Sequence, residues 1–138
     1  MRVLPVVALV IAVLGASCGD DKSPSSPTPA VPNVAGNWAG PSSDNSSGPG
    51  RIALSVAQSG SALSGTWAST FNNGYNNGGA LSGSINVNGS MTVTLTPSVP
   101  TSCPFNATAN VSGNQASGTY AAFNCSSAVT GTFTLTRQ

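Results

Sequence analysis

From Val34 onward, apolar residues alternate with Ser, Thr or Asn, and no stretch repeats with the 3.6-residue spacing of a helix. Ile52, Leu54 and Val56 alternate in this way, as do Leu63 and Trp67 around Gly65, and Leu81, Ile85 and Val87. Met91, Val93 and Leu95 continue the pattern, then Phe105, Ala107, Ala109 and Val111, then Ala116 and Tyr120, then Val129, Phe133 and Leu135. A period of two with one apolar face marks a strand buried on one side. With Val34–Gly40 included, the pattern predicts eight strands, at about 34–40, 51–58, 62–70, 80–87, 90–96, 104–111, 115–123 and 128–137.

The punctuation between these strands is uneven. Ser59-Gly60, Asn88-Gly89 and Gly113-Asn114 are tight-turn dipeptides joining strands 2–3, 4–5 and 6–7. Keeping Val87 and Met91 on one face requires a three-residue loop, Asn88-Gly89-Ser90. The other connections, 41–50, 71–79, 97–103 and 124–127, read as longer. In a meander the connections alternate between ends, so the expected fold is an all-β, up-and-down antiparallel barrel with a closed bottom and an elaborated rim. A β-sandwich of the same strand count is the alternative. A short repeat runs through four strands: Leu63-Ser-Gly-Thr-Trp67, Leu81-Ser-Gly-Ser-Ile85, Ala116-Ser-Gly-Thr-Tyr120 and Val129-Thr-Gly-Thr-Phe133. Each puts glycine on the apolar face, where a strand bends sharply or a neighbouring ring lies on the backbone, as closing a small barrel requires.

The first 33 residues are of another kind. Met1-Arg2 precedes an apolar run from Val3 to Ala16, too short to span a bilayer comfortably and suited to the core of a signal peptide. Leu14-Gly15-Ala16-Ser17-Cys18 resembles the lipobox of bacterial lipoproteins, although Gly15 stands where that family usually has leucine. The resemblance implies cleavage after residue 17, lipid attachment at Cys18 and export to a bacterial membrane. Gly19, rather than aspartate, follows the cysteine and favours the outer membrane or cell surface. Gly15 and Ser17 also satisfy the small-x-small rule of an ordinary signal peptidase. Residues 18–33, with Pro24, Pro27, Pro29 and Pro32, read as a semi-rigid Pro/Ser-rich tether, leaving 34–138 as the domain.

Cysteine count agrees with the lipid assignment. The chain has three cysteines, and an exported protein with an odd number has a thiol to explain. With Cys18 acylated, Cys103 and Cys125 make one pair. If Val111 lies opposite Ala116, counting back puts Cys103 opposite Asn124, so the disulfide staples the rim of the strand 6–7 hairpin. A bulge near Ala121-Ala122 is expected to turn Cys125 into place, since Phe123 breaks the alternation.

Gly36-Asn37-Trp38 on the first strand and Arg137 at the end of the last resemble the calycin group of lipocalins, fatty-acid-binding proteins and avidins. There a basic side chain from near the chain end covers the first-strand tryptophan. The resemblance implies that Trp38 seals the barrel bottom with Arg137 stacked on it, and that an interior ligand is conceivable. The domain is shorter than most lipocalins and lacks their flanking helix.

Composition then excludes most chemistry. Only 5% of residues are charged, there is no histidine and no glutamate. Without residues 1–17, three cations (Lys22, Arg51, Arg137) meet three aspartates (Asp20, Asp21, Asp44), a net charge of zero. Such a chain offers no footprint for phosphates, so nucleic acid is not an expected partner. Asp44 is the one acid of the domain, and no base stands ready to activate a serine, so an enzyme is not expected. Neither a metal site nor a cofactor site is expected from two cysteines without histidine. The richest candidate site is the rim segment 71–79, where Phe71, Asn73, Tyr75 and Asn76 combine flat rings with amides. Two functions follow: a structural or adhesive surface lipoprotein with a mostly filled barrel, or a binding module for a small apolar molecule or saccharide at the long-loop end.

Overall fold

The computed structural model describes residues 25–138; the signal segment and Cys18 lie outside the described residues. Eight strands follow in order: β1 (Gly36–Asp44), β2 (Gly48–Ser59), β3 (Ala62–Phe71), β4 (Asn76–Ile85), β5 (Ser90–Pro97), β6 (Phe105–Ser112), β7 (Gln115–Ala122) and β8 (Thr130–Arg137). Each pairs antiparallel with its sequence neighbours, and β1 pairs with β8, so the sheet closes into an up-and-down barrel. Closure removes the free edges that a sandwich would leave and decides between the two architectures.

The predicted alternation runs inward almost as written. Ile52, Leu54 and Val56, then Met91, Val93 and Leu95, then Ala107 and Ala109 are buried; between them Ala53, Ser55, Thr92 and Thr108 are exposed and Thr94 is half-buried. The repeat glycines sit where neighbouring backbone comes too close for a side chain. A Cβ at Gly65 would lie 1.9 Å from the Ser55 carbonyl oxygen, one at Gly83 2.1 Å from that of Thr92, and one at Gly118 2.0 Å from that of Thr108. Gly131 serves the other purpose, since the Tyr120 ring lies on its backbone, 2.3 Å from where a Cβ would be.

Strand boundaries at the rim differ from expectation. The segment 41–50 is not a long loop: β1 runs to Asp44, β2 starts at Gly48, and only residues 45–47 turn. Asp44 Oδ1 accepts from the backbone N–H groups of Ser46 (2.8 Å) and Ser47, which holds the turn shut. Pro41 is tolerated because the β1–β8 ladder is interrupted between Ala39 and Ser42, so its missing N–H costs no bond there. Likewise 71–79 shrinks to the turn 72–75, and the long rim loops are 98–104 and 123–129.

Two further expectations are corrected. Val87 is not inward but 53% exposed, because β4 ends at Ile85, which pairs directly with Met91. The loop is therefore 86–89, held by Asn86 Oδ1 and Asn88 Oδ1 accepting from Ser90 N–H, each at 3.0 Å. No bulge forms at Ala121-Ala122; the β6–β7 ladder is regular through Phe105 and Ala122. The chain turns later, at Asn124, whose φ of 54° lies in the left-handed region that asparagine tolerates.

Candidate binding cavity at the barrel mouth

The two ends of the barrel are finished differently. At the bottom, Val34 precedes β1 and is buried beneath Trp38, whose indole Nε1 donates to the Val34 carbonyl at 2.9 Å. Gln58 grips the same entering segment, accepting from Val34 N–H at 2.7 Å and donating to the Pro32 carbonyl at 3.0 Å. The Arg137 guanidinium lies 4.8 Å from the Trp38 ring centroid and donates to the carbonyls of Ala35 (3.1 Å) and Asn33. Trp38 and Arg137 thus close the bottom.

At the mouth a cavity of about 440 Å³ remains, within the range of small-molecule sites. The interior is therefore filled at one end only, where the sequence led us to expect a mostly filled barrel or a site at the long-loop end. Ile52, Trp67, Leu95 and Phe105 make its apolar floor, and Ser42, Ser69, Asp44 and Tyr120 its wall. Trp67 meets Phe105 edge-on at 6.1 Å, and Phe105 meets Tyr120 edge-on at 5.7 Å, an arrangement aromatic rings prefer. The Tyr120 hydroxyl donates to Asp44 Oδ2 at 3.2 Å. Burial, then the Asp44 charge and this hydrogen bond, push the tyrosine pKa well above its ordinary 10.0, so the hydroxyl remains a donor.

The rim residues divide. Phe71 is buried and lines the cavity, with Tyr75 at 6.1 Å between ring centroids. Tyr75 is 45% exposed, and Asn73 Oδ1 accepts from its N–H at 2.9 Å. Asn76 points the other way: it opens β4, is exposed and does not line the cavity. Asn77 does line it, donating from Nδ2 to the Tyr75 hydroxyl at 3.2 Å. Cys103 and Cys125 are joined by a disulfide with Cα atoms 5.9 Å apart, and Cys103 borders the cavity.

Sequence reasoning missed Ser42 and Ser69, although both stand in phase with apolar inward residues, Ser42 with Trp38 and Ser69 with Trp67 and Phe71. A polar residue on the apolar phase of a strand was the available signal. It also left Asp44 without a partner, because Tyr120 lies 76 residues away. Among the described residues, no group of His, Cys, Asp or Glu is placed to hold a metal ion.

No protein-family model matches this chain. No curated protein matches it either. Among solved structures it is similar to that of EF1p2_mFAP2b bound to DFHBI, with a TM-score of 0.67 at 13% identity over 76% of this chain and 94% of that one. It is also similar to a redesigned beta barrel, b11L5F_LGL, with a TM-score of 0.63 at 16% identity over 76% of this chain and 91% of that one. At these identities the likeness is one of fold, and the architecture the chain shares with both is the small closed β-barrel.

Proposed function

We propose that this chain is an exported, lipid-anchored binding protein whose barrel, calycin-like in plan, holds a small, largely apolar molecule at its open end. The observation that carries the reading is the 440 Å³ cavity, floored by aromatic rings and rimmed by Asn73, Tyr75 and Asn77. A barrel serving only as a surface spacer has no reason to leave one end unfilled, since an unfilled interior forfeits packing energy. The similar barrel EF1p2_mFAP2b is bound to DFHBI, so a barrel of this size has room for a small molecule. The reading is one of binding rather than catalysis, because the single carboxylate on the lining is tied into a turn.

Anchoring at Cys18 gives the cavity a direction. The tether enters at the barrel bottom, where Gln58 and Arg137 hold residues 32–35. Of the tether, residues 25–33 are described and carry no regular secondary structure; at ~3.1 Å per residue, a proline-rich stretch of this length reaches about 28 Å. The closed end then faces the membrane and the mouth faces outward.

Native mass spectrometry of the protein from its own host tests both parts. A mature N-terminus starting at an acylated Cys18, together with a co-purifying small molecule lost on denaturation, is the expected result. An unmodified N-terminus removes the anchor. A protein that never carries a ligand, and takes none from a panel of apolar dyes, removes the binding role.

A further inference from the structure

Among the described residues, two charged side chains stand on the inward phase of the strands, one at each end of the barrel. A charge turned inward gives up hydration and needs partners in its place. At the bottom, Arg137 shares its phase with Phe133 and Leu135. Its guanidinium meets the Trp38 ring and donates to the carbonyls of Ala35 and Asn33. That cation is absorbed by the fold. At the mouth, Asp44 shares its phase with Trp38 and Ser42, is half-buried and lines the cavity.

The Asp44 carboxylate is fixed in place without being neutralised. Oδ1 accepts from the backbone N–H groups of Ser46 and Ser47, and Oδ2 accepts from the Tyr120 hydroxyl at 3.2 Å. All three donors are neutral. An ionised carboxylate offers about four lone-pair sites, which leaves Oδ2 able to accept once more, beside a tyrosine that also lines the cavity. No lysine or arginine lines the cavity. Arg51, the other cation of the described residues, is exposed on the outward phase of β2, next to buried Ile52. A guest of positive charge would supply what the lining lacks, and an anion would meet repulsion with nothing to offset it. Phe71, Tyr75, Phe105 and Tyr120 share the lining with Asp44, and aromatic π-systems attract an organic cation where an aliphatic wall only desolvates it.

We propose that the cavity takes small organic cations, molecules with an apolar body and one ammonium group that donates to Asp44 Oδ2. The proposal rests on the mouth being a binding site and names the class of guest.

Three probes with one body and different charge test it: 2-naphthylmethylammonium, the neutral 2-naphthylmethanol and the anion 2-naphthoate. Equilibrium dialysis at neutral pH uses the full chain carrying Cys18→Ser, so that no acyl group competes. The ammonium is expected to bind at least about tenfold more tightly than the alcohol at low salt, and naphthoate most weakly of the three. The ammonium's advantage should shrink in about 0.5 M salt, as screening of a charge pair at an open mouth requires. Asp44→Asn keeps an oxygen for the Ser46 and Ser47 N–H groups and should bring the ammonium down towards the alcohol. The comparison of the three probes needs no variant, so it stands even if Asp44→Asn folds poorly. Equal binding of ammonium and alcohol, or tightest binding by naphthoate, overturns the proposal and leaves the binding role intact. An ammonium preference that survives Asp44→Asn undiminished overturns the assignment to Asp44. No binding by any of the three overturns the charge preference and the binding role together.

Discussion

The bottom and the mouth of this barrel are built from the same eight strands, with the same inward phase, yet they end in opposite states. At the bottom, Val34, Trp38, Leu54, Val56, Met91 and Leu135 leave a gap of only about 10 Å³, too little for more than one water. At the mouth, the inward positions of the same strands are Ser42, Ser69, Asn77 and a few rings, and about 440 Å³ stays open. Barrel circumference is set by strand number and stagger, so it cannot adapt locally to smaller side chains. What differs is side-chain volume. Branched aliphatics and a tryptophan close one end, and serines with glycines leave the other open. Stability is therefore concentrated where residues 32–35 enter the barrel, and adaptability where the loops are.

The strongest way to break that contrast is at the closed end. Trp38→Ala removes the bottom's largest side chain and the floor on which Arg137 lies, and about 3–5 kcal/mol of unfolding free energy should go with it. Urea unfolding followed by far-UV circular dichroism measures this, and a loss below about 1 kcal/mol would mean the bottom is not the stable end. At the mouth, the double change Cys103→Ser with Cys125→Ser should cost about 3 kcal/mol, from reopening a link of sequence separation 22. Amide hydrogen exchange should then rise in 98–104 and 123–129 while β1–β2 near Trp38 stays protected.

Arg137→Lys keeps the charge but removes the planar fork that holds Asn33 and Ala35. A loss of about 1–2 kcal/mol is expected, with earlier proteolytic cutting near 30–35. Ser42→Val should act in the opposite sense. It replaces an unmatched buried hydroxyl by two methyl groups, and stability should stay level or rise by up to about 1 kcal/mol. A clear destabilisation would show that the hydroxyl serves the fold.

The smallest effect is in alkali. Folding raises the Tyr120 pKa, so the unfolded chain ionises first. The stability this group supports is complete below pH 10.0, its ordinary value, and declines as pH rises above it. Unfolding midpoints at about pH 8 and about pH 11 should separate less in Tyr120→Phe than in the native chain.

The parts of the fold that were legible and those that were not fall along the same line between the two ends. Near the bottom, alternation is crisp because inward residues are Leu, Val, Ile or Met and outward ones Ser or Thr, so strands and turns such as Ser59-Gly60 read directly. Near the mouth the contrast fades. Pro41-Ser42-Ser43 and Asn76-Asn77-Gly78 are polar or small on both faces and look like loop, yet they are strand. A strand that walls a polar cavity lacks the very signal by which strands are recognised. The disulfide was readable by counting back from Val111 opposite Ala116, since one hairpin's register carries both cysteines.

By itself, then, the order of residues determined the strand phase, the glycines that let strands cross closely, and the tight turns at one end, all of which depend on neighbours a few positions away. Tertiary structure alone decided the closure of β1 onto β8, the bond from Tyr120 to Asp44, and the unmatched indole of Trp67. The first two join residues far apart in the chain, and the space at the mouth is the difference between a circumference set by all eight strands and the volumes of side chains drawn from most of them. No local period encodes a difference of that kind.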